Sequence, residues 1–224
     1  MIEIKNGSVS LSRDGRRNLA MSFRLSTGDF AVLLGRNGSG KSTVLDAVAG
    51  IRPLDAGTLA LEPLNAVVAF AVQDSASGLL PWRSILSNIL LPSKLHNNST
   101  DEMREKALRL LATFGLQERK DDFPYKLSEG EKQIVNLIRA VCTPASILLL
   151  DEPFASLNAK ARSLAKAILA ECAAARTTVF VTHDPMDLDL PITRCLVITD
   201  ATLVEIDMNA AKDFLENVAA TASA

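Results

Sequence analysis

Gly35-Arg-Asn-Gly-Ser-Gly-Lys-Ser-Thr43 is the stretch that decides how the rest of this sequence is interpreted. Two glycines separated by four residues, then lysine and a hydroxyl residue, form a phosphate-binding pattern, and here they are Gly35, Gly40, Lys41 and Ser42. The glycines let backbone N–H groups surround phosphate oxygens, and the lysine supplies a cation. The loop therefore predicts nucleotide contacts from Gly35, Asn37, Gly38, Ser39, Gly40, Lys41, Ser42 and Thr43.

The segments on either side of this loop have the patterns that such a site requires. Residues 30–34 form a short apolar run, which predicts a buried strand, and residues 43–49 are typical of the start of a helix. A helix that begins at the loop directs its positive dipole end at the phosphates. A chance glycine-rich turn is the alternative interpretation, and the strand–loop–helix context argues against it.

The composition is that of an ordinary globular protein. The 224 residues are 48% hydrophobic and 22% charged, and a net charge of −2 argues against a broad surface for nucleic acid. The three cysteines lack metal-ligand spacing, which is typical of reduced thiols in a cytoplasmic protein. We find neither a signal peptide nor the roughly 18 consecutive apolar residues that span a bilayer. Any attachment to a membrane is therefore expected to depend on a partner.

Patterns along the chain predict a mostly parallel α/β sheet with an antiparallel addition. In residues 1–34, alternating apolar residues are interrupted at Gly7, at 14–15 and at 27–29, which predicts a small N-terminal antiparallel β subdomain. Strands alternating with helices predict the parallel part. The remaining predicted elements are strands at 58–61, 67–72, 145–150 and 178–181, a hairpin over 196–206, and helices over 158–175, from near Ser128 and from Asn209, the last of them short.

Residues 75–126 differ in character and predict an inserted α-helical subdomain. Thr100 is placed to cap a helix whose apolar residues recur at helical spacing as far as Gly115. The remaining residues, 1–74 and 127–224, are then expected to form the nucleotide-binding core. The whole chain, 1–224, would be a single domain.

An apolar run at 147–150 ends in two carboxylates, Asp151 and Glu152. The carboxyl end of a parallel strand faces the crevice where ligands bind. From there Asp151 can hold the Mg²⁺ that Ser42 also contacts, and Glu152 can polarise a water molecule against a γ-phosphate. A solvated turn is the alternative, since Asp-Glu-Pro also ends ordinary strands, but the phosphate loop in the same chain favours a functional role.

The segment Leu127-Ser-Glu-Gly-Glu-Lys-Gln133 resembles the signature of ATP-binding cassette (ABC) ATPases, which is usually Leu-Ser-Gly-Gly-Gln. The order of motifs resembles that family over nearly the whole chain: the phosphate loop, Gln73, this signature, Asp151-Glu152, then Thr182-His183-Asp184. The resemblance implies an α/β P-loop NTPase fold of the RecA-like type. It also implies hydrolysis of ATP with Mg²⁺.

Members of this family work as head-to-tail pairs with two ATP molecules between them, so the resemblance implies a homodimer or a pair with a related subunit. Ser128 and Gly130 would then contact the γ-phosphate across the interface. Gln73 would approach Mg²⁺ and the attacking water, and His183 would hold that water and Glu152 in place. By this resemblance the catalytic residues are Glu152, His183 and Gln73, and the Mg²⁺ ligands are Ser42, Gln73 and Asp151.

Several positions differ from the family pattern. Glu129 and Glu131 replace the usual Gly and Gln and should repel a triphosphate unless they point away or meet cations such as Lys132. Asn158 replaces a usual aspartate, which removes a charge from coupling across the interface. The aromatic residue that usually stacks on adenine is missing. Arg13 lies near its place and can stack on a base, although a solvated hairpin arginine fits the sequence equally well.

Leu79-Leu80-Pro81-Trp82, shortly after Gln73, resembles the importer ATPases for nitrate, taurine and aliphatic sulfonates. We expect Leu79, Leu80 and Trp82 to dock transmembrane permease subunits, which would hold the protein at the cytoplasmic face of the cell membrane. A separate periplasmic or extracellular solute-binding protein would choose the cargo, a small anion or sulfonate. Packing of Trp82 in the insertion's own core is the alternative, and the two roles are compatible. An additional C-terminal regulatory domain is not expected.

Other functions stay open from the sequence. An ABC ATPase of an exporter, or of a lipid or non-transport membrane complex, would share every catalytic residue. A P-loop kinase or GTPase lacks the signature and the histidine in this order. A non-hydrolysing interaction module would explain Glu129, Glu131 and Asn158, but the intact Lys41 and Glu152 argue against it.

Overall fold

One continuous mixed sheet with helices packed on it organises the chain. The computed structural model describes residues 1–12, 16–74, 78–96, 101–173 and 175–222. The strands are β1 (Ile2–Ser10), β2 (Asn18–Leu25), β3 (Phe30–Gly35), β4 (Ala56–Leu61), β5 (Val68–Ala71), β6 (Ile147–Asp151), β7 (Thr177–Val181), β8 (Arg194–Thr199) and β9 (Thr202–Ile206). The helices are α1 (Lys41–Val48), α2 (Ile85–Leu95), α3 (Asp101–Thr113), α4 (Glu129–Cys142), α5 (Ala159–Ala173) and α6 (Met208–Ala222), with 3₁₀ segments at Gln117–Arg119, Pro124–Lys126 and Pro185–Asp189.

Within the described residues, nine strands lie in the order β4-β1-β2-β9-β8-β3-β7-β6-β5. All neighbours from β8 to β5 run parallel. Strands β3, β6 and β7 are buried at every position, as expected where helices cover both faces of a parallel sheet. Their carboxyl ends share one edge of the sheet, where the following loops can meet. The predicted α/β class is confirmed.

The N-terminal antiparallel part differs in detail from the prediction. Strand β1 pairs antiparallel with both β2 and β4. Gly7, predicted as a break, instead lies inside β1 where the register shifts, and a Cβ on Gly7 would lie 2.5 Å from Ile4 Cγ2. The prediction of a break was wrong because a glycine that makes room in a bulged strand has the same sequence signal as a turn glycine. Strand β2 also pairs in parallel with β9, so these strands continue the main sheet.

Helix α4 joins the helical segment to the sheet. One side of α4 contributes Val135 and Ile138 to an apolar cluster that also contains Ile89 of α2 and Leu111 of α3. The other side packs Leu137 and its neighbours against the core of the sheet. Helices are present between β5 and β6 as predicted, whereas the proposed domain division stays a prediction. In the described ranges, no helix combines the length and the apolar character needed to cross a bilayer.

The predicted helix ends are correct for α3 and α4. Gly115, with φ of 73°, follows the end of α3, and Ser128 is the N-cap of α4. The predicted cap Thr100 lies outside the described residues. The hairpin predicted over 196–206 is confirmed by the pairing of β8 with β9, which turns through Asp200 and Ala201.

The predicted start of the last helix was wrong. Helix α6 begins at Met208 rather than after a cap at Asn209, and its 15 residues make it longer than expected. Asp207 supplies the cap, because its Oδ1 accepts a hydrogen bond from Ala210 N at 2.9 Å. An aspartate and an asparagine two positions apart are equally good N-cap residues by type, so the sequence did not distinguish them.

The cysteines are free thiols. Cys142 and Cys195 are buried, and Cys172 is half-buried. Burial raises the pKa of Cys142 to about 11 and also raises the pKa of Cys195. Thiols in this state are poor nucleophiles, which agrees with a structural role for both.

Candidate functional site

The loop between β3 and α1 presents an uncapped helix N-terminus. Gly38 and Gly40 have φ values of 73° and 109°, which glycine adopts without strain. Gly40 is the N-cap of α1, and among the described residues no side chain caps this helix and no acidic residue lies in its first turn. The first N–H groups of α1 can therefore bind an anion, which the helix dipole also favours.

The side chain of Lys41 crosses the loop. Its Nζ donates to the carbonyl oxygens of Gly35 at 2.9 Å and Arg36 at 3.3 Å. Burial lowers the pKa of Lys41, and the charges of Glu152 and Asp151 oppose that shift. Lysine Nζ has three donors, so a cation held in this way can bond to a phosphate oxygen as well as to the loop.

Gly35 and Ser39 lie behind the loop. A Cβ on Gly35 would lie 2.5 Å from Ser39 Oγ, so a larger residue at this position would force the Ser39 side chain to move. Within the described part of the chain, Ser39 Oγ is buried without a hydrogen-bond partner. A buried hydroxyl without a partner beside the uncapped start of α1 fits a site that a ligand completes. The predicted contacts of Gly35 and Ser39 with a nucleotide stay predictions.

Ser42 and Asp151 together provide oxygen ligands of the kind that Mg²⁺ prefers. Asp151 ends β6, is 5% exposed and is hydrogen-bonded to Ser42. Burial raises the pKa of Asp151, and the Ser42 hydrogen bond and the charge of Lys41 oppose that shift. In nucleotide sites Mg²⁺ takes one or two protein oxygens and completes its shell with phosphates and water. The hydroxyl and the carboxylate therefore fit this ion.

Glu152 is the point at which the predicted catalytic residues meet. Gln73 Nε2 donates to Glu152 Oε2 at 3.3 Å, and His183 Nδ1 lies 3.3 Å from Glu152 Oε1. Glu152 has φ of 48°, an uncommon conformation for a residue other than glycine, and such strain often occurs at functional positions. The ends of β5, β6 and β7 thus bring together residues that lie far apart in the sequence.

Gln133 of α4 also holds Glu152, which the sequence did not indicate. Its Nε2 donates to the backbone oxygen of Glu152 at 2.8 Å, and the residue is only 5% exposed. A buried amide needs such a partner. The available signal was a polar residue among the apolar positions of α4, next to the signature segment.

Arg162 and Asp187 anchor the chain on both sides of His183. Arg162 Nη1 lies 2.6 Å from Asp184 Oδ2, and Arg162 Nη2 donates to Asp187 Oδ1 at 2.7 Å. Thr182 Oγ1 donates to the other oxygen of Asp187 at 2.6 Å. Asp187 is 1% exposed, so its contacts with Arg162 and Thr182 are shielded from water and fix the segment against α5.

The phosphate loop and the residues that follow β5, β6 and β7 surround a cavity of about 700 Å³. The predicted residues that line it are Asn37, Gly38, Gly40, Lys41, Ser42, Thr43, Gln73, Asp151, Glu152 and His183. Leu11 and Val218 line it as well, and the sequence reasoning missed both because neither carries polar chemistry. Arg13 lies outside the described residues, so its predicted contact with adenine stays a prediction.

The start of α4 is not part of this cavity. Ser128 Oγ accepts from Glu131 N at 3.4 Å, and Glu131 Oε2 accepts from Ser128 N at 2.7 Å, a reciprocal capping box. Gly130 is required by close packing, since a Cβ there would lie 2.7 Å from the backbone oxygen of Ser156. Neither Ser128 nor Gly130 lines the cavity of its own chain, and their predicted phosphate contacts would need a second chain.

Both unusual carboxylates at the start of α4 are paired with cations. Glu129 Oε2 lies 3.4 Å from Lys132 Nζ, the cation suggested by the sequence. Glu131 Oε1 lies 2.6 Å from Arg119 Nη1, a partner that the sequence did not indicate. Burial acts to raise the pKa of Glu131, but hydrogen bonds from Ser128 and Arg119 outweigh it and hold that pKa below its ordinary value. Glu131 is therefore ionised at neutral pH.

The predicted docking residues differ in exposure. Trp82 is 70% exposed, which contradicts the alternative that it packs inside the helical segment. Leu79 is 3% exposed and belongs to the cluster of α2, α3 and α4, so burial contradicts its predicted role as a docking residue. Leu80 is half-buried. The side chain of Asn88 holds the loop that carries Trp82. Its Oδ1 accepts from Leu80 N at 2.8 Å, and its Nδ2 donates to Arg83 O at 3.0 Å.

Known sequences similar to this chain carry consistent descriptions. Residues 19–155 match the family described as ABC transporter. The taurine import ATP-binding protein TauB of Rhizobium johnstonii is 36% identical over 192 residues, which are 82% of this chain and 73% of that protein. The aliphatic sulfonates import ATP-binding protein SsuB 2 of the same organism is 41% identical over 192 residues, 83% of this chain and 74% of that protein.

Solved structures share the fold. One described as the ATP binding subunit of an ABC transporter has a TM-score of 0.85 at 19% identity, and the match covers 100% of both chains. A dimeric ATP-binding cassette in a post-hydrolysis state, bound to ADP and Pi, has a TM-score of 0.80 at 23% identity and covers 93% of this chain and 99% of that chain. The likeness confirms the P-loop type of α/β fold.

Proposed function

The chain belongs to the ABC transporter family, and we propose that it hydrolyses ATP to power the import of a taurine-like or aliphatic sulfonate solute. As a member of this family it is an ATPase that uses Mg²⁺. The observation that carries the proposal is the cavity in which Lys41, Asp151, Glu152 and His183 lie together at an uncapped helix N-terminus. A triphosphate fits such a site, since its charge meets N–H donors, a helix dipole and a lysine.

The phosphate end of the ligand would lie against α1. The open N–H groups of α1 and Lys41 Nζ bind and orient the phosphates, and Ser42 and Asp151 would hold Mg²⁺. Bound Mg²⁺ would neutralise charge on the phosphate oxygens during transfer to water. The burial of Lys41 and Asp151 strengthens these interactions, because the local dielectric is lower than in water.

Glu152 is our candidate for the general base. Its carboxylate would accept a proton from the attacking water. Gln73 and His183 each contact one of its oxygens and Gln133 holds its backbone, so its orientation is set before the ligand arrives. A base fixed in this way loses little entropy on reaching the reactive arrangement.

A second subunit would complete the site. Ser128 and Gly130 lie outside the cavity of their own chain, although the family resemblance assigns them to the γ-phosphate. If two chains pair head to tail, the start of α4 from one chain closes the cavity of the other. Ser128 and Gly130 then lie outside the cavity of their own chain and still reach the γ-phosphate bound by the partner. We therefore propose a homodimer, or a pair with a related ATPase subunit, as the active form.

Trp82 and Leu80 are the proposed contacts with the permease subunits, which would keep the chain at the cytoplasmic face of the membrane. An exposed tryptophan on a loop held by Asn88 is a suitable anchor for a partner helix. The same region connects to α4, because Arg139 donates to the backbone oxygen of Gly78. This contact would transmit a movement of the permease subunits to α4, which begins at the signature segment. A solute-binding protein would act indirectly, through the permease.

The catalytic part of the proposal is tested by Glu152→Gln. We expect turnover to fall by at least about 100-fold, since general base catalysis contributes on the order of 10²–10⁴. The affinity for Mg-ATP should stay within about twofold of wild type, because Gln keeps the size of the side chain and Glu152 is not among the proposed ligands of Mg²⁺ or the phosphates. Phosphate release and calorimetry measure the two quantities. Glu171→Gln, at an exposed position of α5, is the matched control and should behave as wild type. Wild-type turnover in Glu152→Gln would exclude this residue as the base.

The cargo is tested in proteoliposomes that contain the complete transport complex. With the solute-binding protein present, taurine or an alkanesulfonate should raise ATP hydrolysis and enter the vesicles, whereas an uncharged amino acid amide should do neither. Stimulation that does not require the binding protein would favour an exporter or another membrane complex.

A further inference from the structure

Two aliphatic side chains stand out in the lining of the 700 Å³ cavity. Every other lining residue of the described chain is polar, charged or glycine, whereas Leu11 and Val218 offer only hydrocarbon. The two come from opposite ends of the sequence, Leu11 just after β1 and Val218 near the end of α6. The cavity therefore has a polar part at the phosphate loop and an apolar part made by other elements.

Leu11 lies against the last glycine of the phosphate loop. A Cβ on Gly40 would lie 2.6 Å from Leu11 Cδ2 and 3.3 Å from Leu19 Cδ2. Leu11 is half-buried, and it lines both this cavity and the adjoining one that borders Arg36 and Ser39. This contact sets the apolar part directly beside the N-cap of α1, within the reach of a ligand whose phosphates occupy the loop.

Val218 continues the buried face of α6 into the cavity. Ala211 is 0% exposed and Leu215 is 1% exposed, and both belong to the main core. Residues four and seven positions apart share one face of a helix, so Val218 lies on the same face, farther along. Phe214, on that side of the helix, lines an adjoining cavity with Arg36 and Ser39 of the phosphate loop. The face of α6 thus first packs on the sheet and then borders the ligand site.

We propose that Leu11 and Val218 form the subsite for the heterocyclic base of the nucleotide, so that the C-terminal helix α6 takes part in binding. The inference rests on the proposed nucleotide site. Once the phosphates occupy the polar part, the base is the portion of the ligand with large apolar faces, and Leu11 and Val218 are the apolar surface available to it in the described chain. Contact removes both surfaces from water. The subsite strengthens binding of a nucleotide but not of its phosphates alone.

The test compares Mg-ATP with inorganic tripolyphosphate plus Mg²⁺ by calorimetry on the full chain. Val218→Asp should weaken ATP binding by about tenfold, because it places a charge against the base, and should leave tripolyphosphate binding within about twofold. Val218→Ala, which any helix tolerates, should weaken ATP by about threefold in the same direction. Glu216→Ala, at an exposed position on the same helix, is the matched control and should change neither affinity.

The outcomes separate this inference from the proposed function. If wild type binds both ligands and neither Val218 variant changes ATP affinity, the subsite is wrong while the nucleotide site stands. If the variants weaken both ligands equally, Val218 acts on the phosphate loop, which also overturns the subsite. If wild type binds neither ligand, the proposed function fails and the subsite with it.

Discussion

The N-termini of α1 and α4 are both predicted to meet phosphate, and the structure treats them in opposite ways. Helix α1 starts at Gly40 with no side-chain cap and no acidic residue in its first turn among the described residues. Helix α4 starts at Ser128 with a complete capping box and carries Glu129 and Glu131 in its first turn. The first helix end is open to an anion, and the second is already occupied by a carboxylate of its own chain.

This difference shows that a helix N-terminus is an anion site only when its donors are free. At α1 the donors lie beside Lys41 at the edge of a cavity, so groups of one chain are placed to bind a phosphate there. At α4 the side chain of Glu131 accepts from both the backbone N and the hydroxyl of Ser128, at 2.7 and 2.9 Å. A phosphate that approached Ser128 would have to compete with that carboxylate.

The strongest test of this contrast replaces a lysine at each helix start. Lys41→Ala should lower the ATP affinity of the isolated chain by on the order of 50-fold, because a charge-assisted hydrogen bond to phosphate contributes roughly 1.5–3 kcal/mol. Lys132→Ala removes the equivalent charge near α4 and should leave that affinity within about twofold. Isothermal titration of both variants measures this. Equal losses would mean that the two helix ends already act together in one chain.

A narrower test removes the competing carboxylate. Glu131→Gln keeps the capping box, since Gln also serves at this position, and it removes the negative charge. We expect unchanged ATP binding by the isolated chain and about fivefold faster turnover at limiting ATP in the paired form, as a charge is removed near the γ-phosphate. Glu129→Gln, which leaves the capping box intact, is the control and should change turnover less. Slower turnover in Glu131→Gln would show that the carboxylate assists the reaction.

The smallest expected effect is on the pH dependence of stability. The pKa of Glu131 is held below its ordinary value of 4.5 in the folded chain. Its interactions therefore stabilise the fold at neutral pH and lose this effect as the pH falls through 4.5 and below. Wild type should have a higher melting temperature than Glu131→Gln at pH 7, and the difference should disappear on acidification. A difference that grows at low pH would contradict this assignment of the charge.

Local patterns predicted most of the residues that line the cavity. Most of the phosphate loop, Asp151 and Glu152 are among them, because each prediction depends on a few adjacent residues next to a buried strand. The predictions failed where one signal has two physical meanings. Gly7 makes room inside a strand instead of turning the chain, and Leu79 packs inward although Trp82, three residues later, is exposed. Burial on one side of a short loop depends on which helix covers it, and that is not encoded at the loop.

The sequence by itself determined the phosphate loop, the carboxylates that follow β6 and the family to which the chain belongs, because these are contiguous patterns with local chemistry. Only the tertiary structure decided that Gln73 and Gln133 both contact Glu152, and that Val218 lies at the same cavity as Leu11. Those contacts join elements from distant parts of the chain, so they depend on strand order and helix packing. No short stretch of sequence specifies the strand order or the packing of the helices.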